Sequence, residues 1–556
     1  MRVINLLERG AGRAALPWLA AGISGVLLAM AFPRWEGVWL EPLAFVALLP
    51  AFWALEHSRR SFCLALVFAL AYQLTLLLPL MFLLGPWVGL LLLSNLPASW
   101  LLLAAYGPCY RRWQRTGVLA VWLPLAVLVE YAFSTWWPSN APWWVSGAIL
   151  ARLELPAPLV AWTGVWGLSA WVLALNVLLR ACWAQPSRRA GTVWLAVALL
   201  PLLLAALVRS GGGVAPPVAS LRVATINPGL AFGGDDGRLS AALQQSTAAM
   251  RARPDLLVWP EAVYPGALLD EPAVRNRVLT RVAQWHTPVL LATMSLLPYT
   301  VEYPPPPYAA REGDAAARVS GAAMLTPPLA QLILAEDPQA GWPIRVDAKR
   351  QLAPFVEFLP GADLWPAGAA WLSRLWAGEP GDRYLWLSAG STPPQPFHLQ
   401  HQGRVHGVGA VICFELLFPE NVAEQVRNGA QSLVWLTNDE AARHGHYAYQ
   451  FAWFARLRAL ENGRDLVRVN TDGGDFAVDA GGRMTALSPR QAGGHAVYTL
   501  GLRDDLTFYS RHPRWLPLLC LLLLAASLAV LRWRSGVAAV ARLSGPQGPY
   551  PGEEKA

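Results

Sequence analysis

The sequence predicts a polytopic α-helical membrane domain of about eight spans joined to an extracytoplasmic α/β domain. Three observations predict it. Charged residues are 14% of the 556, against roughly 25% in an average soluble protein. Seven long apolar stretches precede about residue 210 and an eighth lies near the end, several of them approaching the roughly 20 residues that a bilayer core demands. Between the last two, about 300 residues alternate short β-like runs with amphipathic helical patterns, as a layered α/β domain does.

The apolar stretches cover residues 15–31, 40–55, 62–83, 88–106, 118–133, 159–179, 193–208 and 515–531. Arg2, Arg9 and Arg13 precede the first. Arg59 and Arg60 follow the second, Arg111, Arg112 and Arg115 the fourth, Arg180, Arg188 and Arg189 the sixth, and Arg532, Arg534 and Arg542 the eighth. The intervening loops hold only Arg34 and Arg152. By the positive-inside rule both termini are cytoplasmic and the segment between spans seven and eight is external. The expected division is 1–209 for a seven-span membrane domain, 210–512 for the external domain, 513–534 for a C-terminal transmembrane helix and 535–556 for a cytoplasmic tail. The net charge of +8 is then a topological excess, and no basic–aromatic array points to nucleic acid. Ala29-Met30-Ala31 imitates a signal-peptidase site, but the spans that follow make the first stretch a retained anchor.

In the membrane part, WWPSNAPWW over 136–144 reads as interfacial anchors, or as a lipid-binding rim facing the external domain. Glu130, near the outer end of span five, is a functional candidate because acids beside hydrocarbon are costly, and it is shallow enough to reach water. In the external part, β-like runs cover 221–226, 256–259, 288–292, 322–325, 407–412, 432–436 and 466–469, with helical patterns at 239–252, 273–285 and 449–461. SGGGVAPP at 210–217 is a linker by composition. The four-proline run 304–307 opens a polar, extended insertion reaching about residue 319, and the chain past Gly545 reads as a disordered tail.

Of five cysteines, Cys63, Cys109, Cys182 and Cys520 lie in spans or at their edges, leaving Cys413 alone in the external domain. A lone thiol in an oxidising compartment is a hazard unless it is buried or useful. VGAVICFE at 408–415 is a buried strand that delivers this thiol to its C-terminal end, where reacting groups gather in open α/β sheets. The plain alternative is a core cysteine, since free Cys is among the most buried residue types. Two other segments bring reactive groups: LLVWPE ends on Glu261, and KRQLAPFVEFLP starts at Lys349 and holds Glu357. Together they suit acyl transfer through a thioester. A carboxylate can take the thiol proton, and an ammonium can stabilise thiolate and oxyanion. His444 and His446 lack a set of metal ligands around them, and neither a metal nor another cofactor is expected.

The order and surroundings of Glu261, Lys349 and Cys413, with LVWLTND at 433–439 and ARLRALENGRDLVR at 455–468, resemble the nitrilase (carbon–nitrogen hydrolase) superfamily. With seven spans before and one after, the chain is similar to the apolipoprotein N-acyltransferase family. The resemblance implies an αββα sandwich in the external domain, a bacterial inner membrane with the catalytic domain periplasmic, and a Glu–Lys–Cys triad. In it Glu261 is general base, Lys349 stabilises oxyanion and thiolate, and Cys413 is nucleophile. Glu357, Glu415 and Phe414 would support the site, the two acids positioning Lys349 and the acceptor amine. The implied partners are a phospholipid acyl donor and a diacylglyceryl-lipoprotein acceptor. A related membrane nitrilase with another acceptor, as in similar conjugal-transfer proteins, and a catalytically silent envelope scaffold remain open. The sequence departs from the family where Glu440-Ala441-Ala442 follows Asn438-Asp439 and where Val356 replaces a glycine.

Overall fold

The computed structural model describes residues 11–543 except 34–36, 85–87, 138, 141, 155–156, 211–213, 230–234, 299–315, 337–343, 362–363, 366–367, 369–386, 441–446 and 489–492. The proline run 304–307, His444, His446, Ala441, Ala442 and the tail past Gly545 lie outside the described residues.

Apolar runs with few charged residues form the helices Ala11–Met30, Ser61–Leu84, Val88–Ala104, Leu123–Thr135, Ala157–Ala184, Arg188–Ser210 and Trp515–Leu543. Among the described residues, Ser94–Thr135, Pro158–Ala184 and Trp515–Arg534 are long and apolar enough to cross a membrane, and Ala14–Met30 and Ser61–Leu77 are shorter apolar helices. Residues 40–55 depart from the predicted span. Pro42 and Pro50 each open a separate element, the 3₁₀ turn Glu41–Phe45 and the nine-residue helix Leu49–His57. Nine residues rise about 14 Å, half of a hydrocarbon core. Arg111, Arg112 and Arg115 lie on the helix Tyr106–Gly117 rather than in a loop.

The α/β segment outside the apolar helices, called the external domain for that placement alone, folds into two sheets. Their strands are β1 (Ala219–Asn227), β2 (Leu256–Val258), β3 (Val289–Pro298), β4 (Ala316–Leu325), β5 (Val346–Ala348), β6 (Phe397–His401), β7 (Arg404–Ile412), β8 (Ser432–Thr437), β9 (Leu466–Asn470), β10 (Phe476–Val478) and β11 (Gly494–Leu502). One sheet runs β11-β1-β2-β3-β4-β5 and the other β10-β9-β8-β7-β6. β1, β2 and β3 are parallel, as are β7, β8 and β9, so each sheet gathers several strand C-termini at one end. Alternation splits each strand between two cores. Val408, Ala410 and Ile412 of β7 meet Leu221, Val223, Val258 and Leu290 between the sheets. Ala224, Ile226 and Leu257 face outward against the helices Asp235–Ala249, Pro272–Trp285 and Pro327–Glu336. On the other side lie Pro419–Arg427 and Tyr447–Asn462, completing αββα layering. Val411, Leu433 and Trp435 join these helices to the membrane helices in one continuous core.

The junction is polar as well as apolar. Arg456 Nη1 donates to the Ala151 and Leu153 carbonyls at 2.6 and 2.9 Å. Glu461 Oε1 accepts from Val165 N at 2.9 Å, just past a break in the membrane helix at Gly164, where φ is +63°. A Cβ on Gly164 would stand 2.3 Å from the Tyr509 ring. The tryptophan loop divides: Trp136 is 71% exposed, whereas Trp143 and Trp144 are buried. Trp143 Nε1 donates to Gln450 Oε1 at 2.9 Å, so this end packs on the external domain. Glu130 is fully buried and accepts from Ser146 N at 3.1 Å. It does not reach water, because the 3₁₀ turn Ser146–Arg152 closes over it.

Candidate active site

Each reactive side chain leaves the end of a strand. β2 runs into Trp259-Pro260-Glu261. Trp259 is held by Nε1 donating to Ser246 Oγ at 2.9 Å, and the Glu261 carbonyl accepts from Thr471 Oγ1 at 2.7 Å. Lys349 follows β5, its amide donating to the Ser320 carbonyl at 2.7 Å and its carbonyl accepting from Gly390 N at 2.9 Å. Cys413 follows β7 and starts the 3₁₀ turn Cys413–Leu417. Among the described residues seven non-glycine positions have positive φ, and three of these border the site: Ala262 (+58°), Phe355 (+64°) and Cys413 itself (+46°). Such conformations cost non-glycine residues energy and concentrate at functional sites.

The structure brings Glu261, Lys349, Glu357 and Cys413 together. Lys349 is only 1% exposed. Its Nζ lies 2.7 Å from Glu357 Oε1 and 3.8 Å from Glu261 Oε1. The other Glu357 oxygen accepts from Ala353 N at 2.7 Å, which fixes the carboxylate against the lysine. The Cys413 thiol and the Glu261 carboxylate are near enough to act on each other electrostatically. Glu415 is directed elsewhere. It is buried and accepts from Ile412 N, Arg350 N and Gln351 N at 3.1, 2.7 and 3.4 Å. It thereby clamps the Cys413 elbow to the Lys349 loop. Phe414 turns away into the core shared with the membrane helices, edge-on to Phe418.

Burial pushes the Glu261 carboxyl up to about 7; the Lys349 ammonium opposes this and Glu357 adds to it. Burial and then the Glu261 carboxylate hold the Cys413 thiol well above its ordinary range, against the pull of Lys349. Burial alone would lower Lys349, but Glu357 and Glu261 together carry it above its ordinary range. The resting site is therefore a neutral thiol near a carboxyl that burial has pushed up to about 7, beside a fixed cation. That arrangement can pass a proton from sulfur to carboxylate and receive negative charge on an attacked carbonyl oxygen. Among the described residues no group of His, Cys, Asp or Glu is arranged to hold a metal ion.

Several residues beside the thiol belong to the LVWLTND and ARLRALENGRDLVR segments, in which the sequence assigned no role to any single residue, or follow them at Asn470. Trp435 Nε1 donates to the Cys413 carbonyl at 3.0 Å. Asn470 Oδ1 accepts from Thr437 Oγ1 and Asp439 N at 3.0 and 2.9 Å, and Asp439 pairs with Arg468. They sit at the ends of β8 and β9, beside the end of β7, and only the parallel order of these strands assembles them. A cavity of about 370 Å³ opens next to the Lys349 loop, lined among others by Ser134, Trp166, Arg350, Glu420, Asn421 and Arg514. It lies between membrane helices and external domain, and the side chains of Glu261, Lys349 and Cys413 do not line it.

Residues 24–178 match the model of the apolipoprotein N-acyltransferase N-terminal domain. The apolipoprotein N-acyltransferase of Chlorobaculum tepidum is 29% identical over 562 residues, covering 92% of this chain and 97% of that protein. That of Geobacter metallireducens is 28% identical over 525 residues, covering 89% and 91%. Among solved structures, an amidase from Nesterenkonia sp. aligns with 52% of this chain and 92% of its own at 17% identity and a TM-score of 0.32. The chain is thus similar at its membrane end to the apolipoprotein N-acyltransferase family model, and almost end to end to two apolipoprotein N-acyltransferases at 28–29% identity.

Proposed function

We propose that the chain moves an acyl chain from a phospholipid to the α-amine of a lipoprotein's diacylglyceryl-cysteine, through a thioester on Cys413. The observation that carries this is the Glu261–Lys349–Cys413 cluster around the buried Lys349, in a domain whose outer helices share one core with membrane helices. Glu261 takes the thiol proton as sulfur attacks the ester carbon, and Lys349 stabilises the tetrahedral oxyanion. The intermediate collapses, the ester C–O bond breaks, and lysophospholipid leaves with the proton from Glu261. The acceptor amine then attacks the thioester and Glu261 takes its proton. The C–S bond breaks, the amide forms and the thiol is restored. Because burial keeps the free thiol protonated, the base is required in the attack itself rather than to maintain a standing thiolate.

The same reading makes Glu357 the residue that holds Lys349 and Glu415 the clamp of the elbow. The cavity at the junction supports a polar lipid headgroup, its lining carrying Arg350 and Arg514 beside Glu420 and Glu424. Arginine alternation along the chain supports eight membrane passes, one of them the broken 40–55 stretch. With it go cytoplasmic termini, a periplasmic catalytic segment at about 210–512 between membrane parts 1–209 and 513–534, and a cytoplasmic tail at 535–556. Complementation of a bacterial strain depleted of its own lipoprotein N-acyltransferase tests the activity, read by mass spectrometry of a lipoprotein N-terminus. Wild type is expected to add a third acyl chain and Cys413→Ala none. A well-expressed wild type that adds none overturns the reading.

A further inference from the structure

The guanidinium of Arg468 lies inside the external domain, 1% exposed, on the strand β9 that neighbours β8 rather than on any element bearing the triad. It pairs with Asp439, its Nε donates to Thr437 Oγ1 at 3.3 Å, and it lies 4.8 Å over the Trp435 ring. The indole so held donates to the Cys413 carbonyl, at a residue whose backbone is in the left-handed region. Asp439 bears on the same place: its charge acts, as the smallest of the named influences, on both Cys413 and Glu261. The charged groups acting on the thiol are thus Glu261 after β2, Lys349 after β5, Glu357 in the following turn and Asp439 after β8.

We propose that Arg468 is a positioning residue for acyl transfer, which fixes the Trp435 indole against the Cys413 elbow and cancels the charge of Asp439 beside the thiol. The inference rests on Cys413 being the nucleophile, but its test reads the thiol directly and does not depend on which acceptor is used. Without the guanidinium, the buried Asp439 carboxylate would act on Cys413 and Glu261 with its ion pair to Arg468 lost. Both groups would then be harder to ionise, and the indole would lose the cation that holds its plane.

The test is the pH dependence of Cys413 alkylation by iodoacetamide in the full-length protein, quantified on the Cys413 peptide by mass spectrometry. In Arg468→Met the alkylation limb is expected to move to higher pH by about one unit or more, while Arg468→Lys keeps it near wild type. Asp439→Asn, which leaves the cation unopposed, is expected to move the limb to lower pH. The double variant Arg468→Met/Asp439→Asn should return towards wild type. An unmoved limb in Arg468→Met, or a double variant that keeps its full shift, overturns the proposal and leaves Arg468 a packing residue. Should Arg468→Met fail to fold, Asp439→Asn decides alone, and an unmoved limb there overturns it equally. Failure of the acyltransferase reading is separately visible, as lost lipoprotein acylation with the alkylation shifts intact.

Discussion

Cys413 carries its thiol on a backbone conformation that costs a non-glycine residue about 1–2 kcal/mol, and the neighbours hold it there through side chain and carbonyl alike. Two predictions belong to this scale. Glu261 titrates at about 7 and must be ionised to accept a proton. The rate of thioester formation should therefore fall about tenfold per pH unit below that value and level off above it. Rapid-quench measurement of the acyl-enzyme across pH reads this limb, and Glu261→Gln should abolish it along with at least about a hundredfold of the rate. Lys349→Met should cost about 1–3 kcal/mol of stability, because it leaves the half-buried Glu357 and Glu261 carboxylates without their cation. Denaturant unfolding in detergent measures that loss, and the same preparation should form no thioester.

Among the elements, the membrane helix Ala157–Ala184 shows most directly how the external domain grips the spans. Its break at Gly164 frees the Val165 N–H, which Glu461 accepts from the far side of the interface. Glu461 also accepts from Arg458 Nη2 at 2.8 Å. Gly164→Ala should destabilise by at least about 1 kcal/mol from its positive φ alone, and by more because the Tyr509 ring occupies the space a Cβ needs. A lowered thermal midpoint with unchanged thiol alkylation at Cys413 is the expected result. Glu461→Ala should be worse, about 3–5 kcal/mol, since it strands the buried Arg458.

At the scale of the molecule, membrane and catalytic parts are not two beads on a string. The outer face of Pro419–Arg427 and Tyr447–Asn462 shares one apolar core with the membrane helices, and Arg456 and Trp143 tie the two with hydrogen bonds. Residues 214–512 produced alone should therefore expose a large apolar surface and aggregate or bind a hydrophobic dye. A monodisperse domain that binds no dye would contradict this. The continuity also bears on function, since a lipid's acyl chain lies in the same apolar phase on which the catalytic layers rest.

Local pattern was enough for much of this. Runs such as VGAVI and LVWL, buried on both faces, read as strands without help, and Tyr447–Asn462 is a helix close to the bounds its pattern predicts. Glu261, Lys349 and Cys413 were legible because each stands where a β-like run meets loop chemistry. The three-residue strands β5 and β10 were not, because so short a run has no periodicity to read. The first six of the nine residues of β11 alternate intermediate and exposed, and only its register with β1 makes it a strand. The 40–55 stretch has the hydropathy of a span, but two prolines divide it. Hydrophobic period and residue type are local, and they suffice to separate an apolar helical part from an α/β part and to single out candidate reactive groups. That Arg468, Asp439 and Trp435 stand beside the thiol, that Glu415 clamps backbone and that Glu130 is buried came from the fold alone. Those facts depend on which strand ends and helices become neighbours, and no local period encodes that.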